Sequence, residues 1–264
     1  MTDTAADSKS VAQGDVQVRV ADGIATIRFS HPKGNSLPSA LLRRLASEIA
    51  RLASLDDAHV ILLRSSDTGP FCAGASFDEL SSIRDAETGK EFFMGFARVI
   101  LAMIRCPKLI VTRVHGKVVG GGVGLVAASD YVLAVDTASL RLSELAIGIG
   151  PFVVGPVIRR KMGLAGFSAM AVDTEWRSAK WAEEFGLFSQ LFDSVNALDS
   201  GLEIFVRRLA KANPAATTQL KTVFWEGTED WDRLLEERAE MSGTLVLGEH
   251  TRAAIAEFSR GARG

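Results

Sequence analysis

The chain has little of several features that would assign it to a specialised class of protein. Its 264 residues contain two cysteines, Cys72 and Cys106, which are too few for a disulfide framework and indicate reduced thiols. No apolar run is long enough to cross a bilayer, and residues 1–14 lack the apolar segment of a signal peptide. The net charge of −2 provides no basic excess for nucleic-acid binding. These absences favour a soluble cytoplasmic protein with no membrane or nucleic-acid partner.

Motifs for common cofactors are also missing. The four histidines are scattered along the chain without the spacing of metal ligands, and neither the Walker pattern nor G-x-S-x-G occurs. Residues 122–127 fit the loose dinucleotide pattern G-x-G-x-x-A. The acidic residue that should end the following strand, Asp136, comes too early for that site. We therefore predict no metal and no redox cofactor.

The apolar pattern predicts strands that alternate with helices up to Pro151 and a mainly helical chain beyond it. Alternation of this kind is typical of an α/β core whose ligands bind at the carboxyl ends of the strands. We expect a disordered leader at 1–14, a core at 15–195 and a helical region at 196–264. The predicted strands cover 16–20, 24–29, 60–63, 109–114, 131–135 and 188–192. The predicted helices cover 36–54, 91–104, 122–129, 155–162, 165–171, 179–185, 198–212, 214–225, 231–247 and 250–260.

Two loops of small residues and one glutamate carry the chemical signal. The loops span 71–75 and 115–124, and each follows an apolar strand. Small residues let a ligand approach the backbone, so N–H groups from both loops could stabilise one developing oxyanion. Glu144 could then transfer a proton beside that oxygen. The alternatives are close packing of the loops and a helix-terminal glutamate favoured by the helix dipole.

These segments resemble the crotonase superfamily, the enoyl-CoA hydratase/isomerase family. The resemblance extends from about Val16 to the C-terminus. It implies a spiral of ββα turns with a C-terminal helical trimerisation region, in a homotrimer or dimer of trimers. It also implies an acyl-CoA thioester substrate, with coenzyme A as part of the substrate and not as a separate cofactor. The matching motifs are Phe71-Cys72-Ala73-Gly74-Ala75, Glu79-Leu80, His115-Gly116, Gly120-Gly121-Gly122, Ala128-Ser129-Asp130 and Ser143-Glu144-Leu145-Ala146-Ile147-Gly148, with Asn35.

Three positions carry the catalytic roles that the resemblance implies. The N–H groups of Ala75 and Gly121 would bind the thioester oxygen, and Glu144 would exchange a proton with the acyl chain. Burial would raise the pKa of such a carboxyl and suit it to this exchange. The positions expected to bind substrate or CoA are Lys33, Ala73, Gly74, Gly120, Gly124 and Phe258.

The chain departs from the family's hydratases at Gly124, where they carry a second glutamate that holds water. The departure favours double-bond isomerisation by one carboxylate. Hydration remains an alternative if another acid replaces the missing glutamate. The substrate could then be branched, such as a methylglutaconyl-CoA. A non-catalytic acyl-CoA-binding protein is the alternative from another class. The candidates for a replacement acid are Asp78, Glu79 and Glu175.

Two further polar residues lie in or beside the loops. His115 precedes the second glycine loop on a strand, and we interpret it as a packed, hydrogen-bonded residue and not as a general base. Cys72 has no basic neighbour in sequence that would activate a thiol, so we expect it to serve loop packing.

Overall fold

The computed structural model describes residues 14–261, with side chains up to residue 257. The predicted leader, residues 1–14, lies outside the described residues except for Gly14. The core is a six-stranded sheet in the order β1-β2-β3-β4-β6-β9, parallel throughout except for the antiparallel pair β1–β2. Its strands are β1 (Asp15–Ala21), β2 (Ile24–Ser30), β3 (Val60–Ser65), β4 (Leu109–Val114), β6 (Tyr131–Val135) and β9 (Gln190–Phe192).

A second, three-stranded sheet stands at the carboxyl ends of the core strands. It has the order β5-β7-β8, with β5 parallel to β7 and β7 antiparallel to β8. These strands contain only two or three residues each, too few for a period-two pattern to show in the sequence. The strands are β5 (Val118–Val119), β7 (Ser139–Arg141) and β8 (Arg177–Ser178).

Helices follow most strands, and every regular element described after β9 is a helix. None of the described helices is both long and apolar enough to span a bilayer. Helix α7 packs against five strands of the core sheet. A single 3-10 turn covers Leu145–Ile147. The helices are α1 (Ser39–Ala53), α2 (Phe77–Ser82), α3 (Ala86–Arg105), α4 (Gly121–Ala128), α5 (Gly155–Val172), α6 (Ala179–Glu184), α7 (Val195–Ala210), α8 (Pro214–Phe224), α9 (Trp231–Leu245) and α10 (Glu249–Gly261).

Local sequence signals explain where several helices begin and end. The Asp85 side chain accepts a 2.7 Å hydrogen bond from Thr88 N–H and caps α3, which therefore starts five residues before the predicted position 91. Within α5, Gly163 has φ +74° and interrupts the helix between the two predicted helical segments. Short α2, whose cap is the Ser76 side chain, was not predicted.

The last helices fold back onto the core. Helix α9 crosses α3 at two glycines, and a methyl group added to Gly89 would lie 2.8 Å from the Gly243 carbonyl oxygen. A separate apolar cluster joins α2, α3, the segment after β7 and the C-terminal helices. These contacts place α9 and α10 beside the carboxyl ends of the core strands. The cluster contains Leu80, Ile83, Phe92, Ile149, Val246 and Ile255.

A buried ion pair holds α8 against the core. The Lys221 Nζ lies 2.6 Å from Asp130 Oδ2, and the two side chains are 3% and 4% exposed. Asp130 also accepts hydrogen bonds from Ile110 N–H at 2.7 Å and from Trp225 Nε1 at 3.1 Å. Each oxygen of this carboxylate thus accepts from at least one donor, as burial of a charge requires.

Lys221→Met should lower the free energy of unfolding by about 3–5 kcal/mol, because it leaves the Asp130 charge buried without its cation. Urea denaturation measures this change. The matched control is Arg233→Met, which removes an exposed cation of α9 from its pairs with Asp230 and Glu237 and should cost less than about 1 kcal/mol. The double variant Asp130→Asn/Lys221→Met should recover part of the loss. Equal small losses from Lys221→Met and the control would contradict the assigned role.

Candidate active site

The two loops of small residues are hydrogen-bonded side by side. Cys72 N–H donates to Lys117 O at 3.3 Å, and Val119 N–H donates to Cys72 O at 2.9 Å. This short parallel bridge joins segments that are more than 40 residues apart in the chain. The backbone at Ala73–Ala75 therefore runs beside the backbone at Gly120–Gly121.

A third segment joins the second loop and carries the glutamate. Gly120 N–H donates a 2.9 Å hydrogen bond to Arg141 O at the end of β7, and Glu144 follows three residues later. Gly120 has φ +53°, a left-handed conformation that favours glycine. A methyl group on it would also lie 3.0 Å from Glu144 Oε1. The turn and the carboxylate are thus in direct proximity.

These three segments form part of the wall of one cavity of about 640 Å³. Its volume is typical of a site for a small molecule or cofactor. The predicted residues on its wall are Ala73, Gly74, Ala75, Gly120, Gly121 and Glu144. The rest of the wall is largely apolar, with the aromatic residues Phe77, Phe92, Phe93, Phe96, Phe152 and Trp176.

The N–H groups of Ala75 and Gly121 are available to a ligand. Neither donates a hydrogen bond to any residue that the structure describes. Gly121 is the first residue of α4, so its N–H has no acceptor within the helix. A helix N-terminus also favours negative charge, because the peptide dipoles add along the axis. Two unpaired donors on one apolar wall can stabilise an oxyanion.

Glu144 is the acid of this cavity. Its Oε2 is buried without a partner among the described residues, and the backbone N–H groups of Glu144 and Ser143 are the nearby groups that favour the charged carboxylate. Burial disfavours the charged form and raises the pKa of Glu144 to about 7, although those backbone N–H groups oppose the rise. A carboxyl with this pKa can both accept and return a proton near neutral pH.

Gly124 does not lie on the cavity wall, although the sequence predicted it as a binding residue. It is buried in α4, and a methyl group there would come within 2.6 Å of Val154 Cγ1 and 3.3 Å of Ile100 Cδ1. Val154 itself lines the cavity. An apolar side chain thus occupies the space toward which a side chain at position 124 would extend.

Glycine serves close packing at the two neighbouring positions as well. A methyl group on Gly121 would lie 2.4 Å from the Phe96 ring, and one on Gly122 would lie 2.8 Å from Cys72 Cβ. The packing interpretation of the glycine cluster and the ligand-binding interpretation are therefore compatible. At these glycines the backbone of α4 lies so close to its neighbours that an added side chain would displace them, and the first N–H of the helix lies at the cavity.

Two predicted binding residues remain, Lys33 and Phe258. Lys33 is exposed, forms an ion pair with Asp78 and is not on the wall. Its assignment as a CoA-binding residue remains a prediction. Phe258 belongs to α10, but its side chain lies outside the described part of the chain.

None of the three candidate replacement acids lines the cavity. Asp78 pairs with Lys33, and Glu79 accepts hydrogen bonds from Ser39 N–H at 2.9 Å and Ser39 Oγ at 2.6 Å. Glu79 thereby caps the start of α1. Glu175 is exposed in the turn before β8. The polar or charged wall residues that the sequence did not indicate are Arg141, Ser242 and Glu257, and Ser143 was named only as part of the glutamate motif.

The positions of these residues explain why the sequence did not indicate them as site residues. Arg141 lies on a three-residue strand. Glu257 lies about 110 residues after Glu144, on a helix whose amphipathic pattern indicates packing against the core. Arg141 stands two residues before the glutamate motif, and this proximity is the one local signal that could have indicated it. Ser242 carries no such signal.

Cys72 and His115 take no part in the cavity wall. Cys72 is fully buried, and burial raises the pKa of its thiol to about 12, so it is not a nucleophile at neutral pH. Burial lowers the pKa of His115, which packs as predicted. The expectation of a hydrogen bond was wrong, since neither ring nitrogen meets a partner among the described residues. The part of the chain that the structure describes also holds no cluster of three or more potential metal ligands.

Glu144→Gln should stabilise the protein increasingly as the pH rises. The folded-state pKa of about 7 lies above the ordinary value of 4.5, so the wild type binds an extra proton when folded and loses stability as the pH rises through 7. A neutral glutamine avoids this loss. Urea denaturation should give a variant advantage on the order of 2–3 kcal/mol at pH 8.5 that largely disappears at pH 5. Exposed Glu184→Gln is the control, and a pH-independent advantage would contradict the assigned burial of Glu144.

Comparison with solved structures identifies the fold. The chain superposes on an enoyl-CoA hydratase from Bacillus halodurans with a TM-score of 0.85 and 18% identity, over 92% of this chain and 99% of that one. A protein described as a putative enoyl-CoA hydratase from Mycobacterium avium paratuberculosis gives 0.84 and 22% identity, over 94% and 97%. The architecture is therefore the α/β crotonase fold.

Sequence relatives include enzymes of more than one reaction type. The enoyl-CoA hydratase AKT6-1 of Alternaria alternata is 28% identical over 90% of this chain and 79% of that protein. The peroxisomal Delta(3,5)-Delta(2,4)-dienoyl-CoA isomerase of Arabidopsis thaliana is 28% identical over 67% and 69%. Residues 19–258 match the family model for enoyl-CoA hydratase/isomerase, and so the chain is an acyl-CoA enzyme that belongs to this family of the crotonase superfamily.

Proposed function

We propose that the enzyme moves the double bond of an enoyl-CoA, with Glu144 as the single proton carrier. The proposal rests on the cavity wall, which carries one acid with a raised pKa. The space beside Gly124, where the family's hydratases carry a second glutamate, is filled by another side chain. Glu144 has a pKa of about 7, and Val154 takes the space beside Gly124. One carboxylate suffices for isomerisation, which takes up and returns the same proton. Hydration requires an acid that also holds water.

The reaction would proceed through an enolate. The Glu144 carboxylate accepts a proton from C2 of a 3-enoyl thioester, and the electron pair moves onto the thioester oxygen. N–H groups of Ala75 and Gly121 would donate hydrogen bonds to this oxygen, whose charge is largest in the transition state and intermediate. The protonated Glu144 then returns its proton to C4, and the double bond forms between C2 and C3. Atoms and charge balance without a cofactor.

The apolar wall supports this chemistry. Aromatic side chains around the cavity exclude water, which strengthens the hydrogen bonds to the developing oxyanion and limits hydrolysis of the thioester. Side chains that cannot carry charge also leave the acyl chain without competing proton donors. The same wall keeps the pKa of Glu144 near neutrality.

Hydration is the second candidate, because the wall contains one further acid, Glu257 of α10. If Glu257 holds water across the cavity from Glu144, the site would contain two carboxylates despite Gly124. A branched substrate such as a methylglutaconyl-CoA belongs to this alternative. One of the relatives, from Rattus norvegicus, is a methylglutaconyl-CoA hydratase that is 26% identical over 78% of this chain and 67% of that protein.

Two substrates separate the candidate reactions. With 3-hexenoyl-CoA, isomerisation should raise the absorbance of the conjugated thioester, and with crotonyl-CoA, hydration should lower it. Loss of the crotonyl-CoA signal in Glu257→Gln, with Glu144 intact, would assign hydration to the two acids and overturn the isomerase proposal. If neither substrate reacts while each raises the melting temperature, the acyl-CoA-binding alternative is favoured.

The pH profile tests Glu144 independently of the substrate's identity. Because the ionised form accepts the C2 proton, kcat/KM should rise about tenfold per pH unit below 7 and reach a plateau above it. Glu144→Gln should lower kcat by about 10²–10⁴-fold and leave the melting-temperature increase with substrate largely unchanged. Glu184→Gln serves as the control. Retention of activity in Glu144→Gln would show that another group carries the proton.

The assembly and setting of the enzyme belong to this proposal as well. We infer a homotrimer or dimer of trimers, a cytoplasmic location and no cofactor beyond the CoA of the substrate. The support is the family's helical C-terminal region, which this chain shares as α8 to α10.

A further inference from the structure

Arg141 is a half-buried cation on the wall of the cavity. It lies at the end of β7 opposite Val119 of β5. Its Nε is buried without a partner, and its side chain makes no hydrogen bond or ion pair with a residue that the structure describes. Arg113, the fully buried arginine of the core, instead binds both oxygens of Asp199. The Arg141 guanidinium therefore keeps N–H donors that an anion bound in the cavity can accept from.

Neither acid on the cavity wall neutralises this arginine. Glu144 keeps a pKa of about 7 because of burial, and only backbone N–H groups lower it. An ion pair with Arg141 would have lowered that pKa. No ion pair joins Arg141 to Glu257 in the described chain. The charge of Arg141 is therefore available to a molecule inside the cavity.

The surroundings of Arg141 offer a second cation and little other polarity. Trp176 precedes Arg177, whose backbone pairs with Leu140 of β7, and it also lines the cavity. The Lys117 Nζ lies 5.0 Å from the centre of the Trp176 ring. Arg141 on the wall and Lys117 beside Trp176 are cations that favour an anionic group of the ligand.

The position of Arg141 relative to Gly121 limits how far the anionic group can lie from the thioester. Gly120 N–H donates to Arg141 O, so Arg141 is one hydrogen bond away from the loop that carries Gly121. If Gly121 binds the thioester oxygen, the Arg141 side chain reaches the acyl part of the molecule within a few carbons of the thioester. Arginine binds a carboxylate through two parallel N–H groups, which fixes its orientation as well as its charge.

We propose that Arg141 binds a carboxylate on the acyl group, and that the substrate is a CoA monothioester of a short dicarboxylic acid. This inference rests on the proposed function, since it takes the cavity as the acyl site. The shared chemistry, an anion on a guanidinium, could also come from a phosphate of CoA. The free CoA arm of the experiment distinguishes these two sources.

Saturated esters test the proposal by binding alone, without turnover. Titration calorimetry compares butanoyl-, pentanoyl- and hexanoyl-CoA with succinyl-, glutaryl- and adipoyl-CoA, which match them in chain length. The wild type should bind at least one carboxylated ester about 10–100-fold more tightly than its neutral match, as expected for hydrogen bonds to a charged group. Arg141→Gln should remove this preference and change the affinity for free CoA and the neutral esters by less than about threefold.

Matched variants and named outcomes keep the test decisive. Arg141→Lys should retain part of the preference, and Lys180→Gln, which removes an exposed cation outside the cavity, should change nothing. The proposal is wrong if the wild type shows no preference at any length, or if Arg141→Gln weakens free CoA and all esters alike. The latter result assigns Arg141 to a CoA phosphate. Absence of binding by every CoA compound, with unchanged melting temperatures, would instead refute the proposed function.

Discussion

The site depends on two backbone hydrogen bonds that join three distant segments. Val119 N–H donates to Cys72 O, and Gly120 N–H donates to Arg141 O. Each joins the segment at Val119–Gly120 to a neighbouring segment, and each fixes the position of the residues that follow it. The first aligns the two loops of small residues, and the second brings Glu144 beside Gly120. Without them, the candidate N–H donors and the acid would belong to separate surfaces of the molecule.

Packing of the glycines and the chemistry of the cavity arise from the same geometry. Helix α4 approaches Phe96, Cys72 and Val154 so closely that a methyl group at any of three glycines would collide with them. That approach leaves the helix N-terminus at the cavity wall, where an N–H without a helical partner is available to an oxyanion. At position 124 an added methyl group would lie 2.6 Å from Val154 Cγ1, so Val154 fills the space that a side chain there would enter.

The wall of the cavity contains few charges, and each has a distinct environment. Glu144 is buried with one oxygen unpaired, which raises its pKa to about 7. Arg141 lies on the same wall without an ion-pair partner among the residues that the structure describes. Apolar and aromatic side chains form most of the wall around these groups. In such surroundings electrostatic interactions with a ligand are strong. The two proposals assign substrate selection to Arg141 and proton transfer to Glu144.

The sequence by itself determined the long elements, the two loops and the position of Glu144. Periodic apolar residues predict α1, because burial on one face imposes that period, and short apolar runs predict the central strands, which are buried on both faces. Only the tertiary structure decided which residues share the cavity. Arg141, Trp176 and Glu257 lie on short strands, turns or a late helix, and no local pattern relates segments so far apart. The space beside Gly124 is filled by Val154, which lies 30 residues away in the chain. No local pattern predicts this, because steric exclusion depends on which side chains the fold brings into contact.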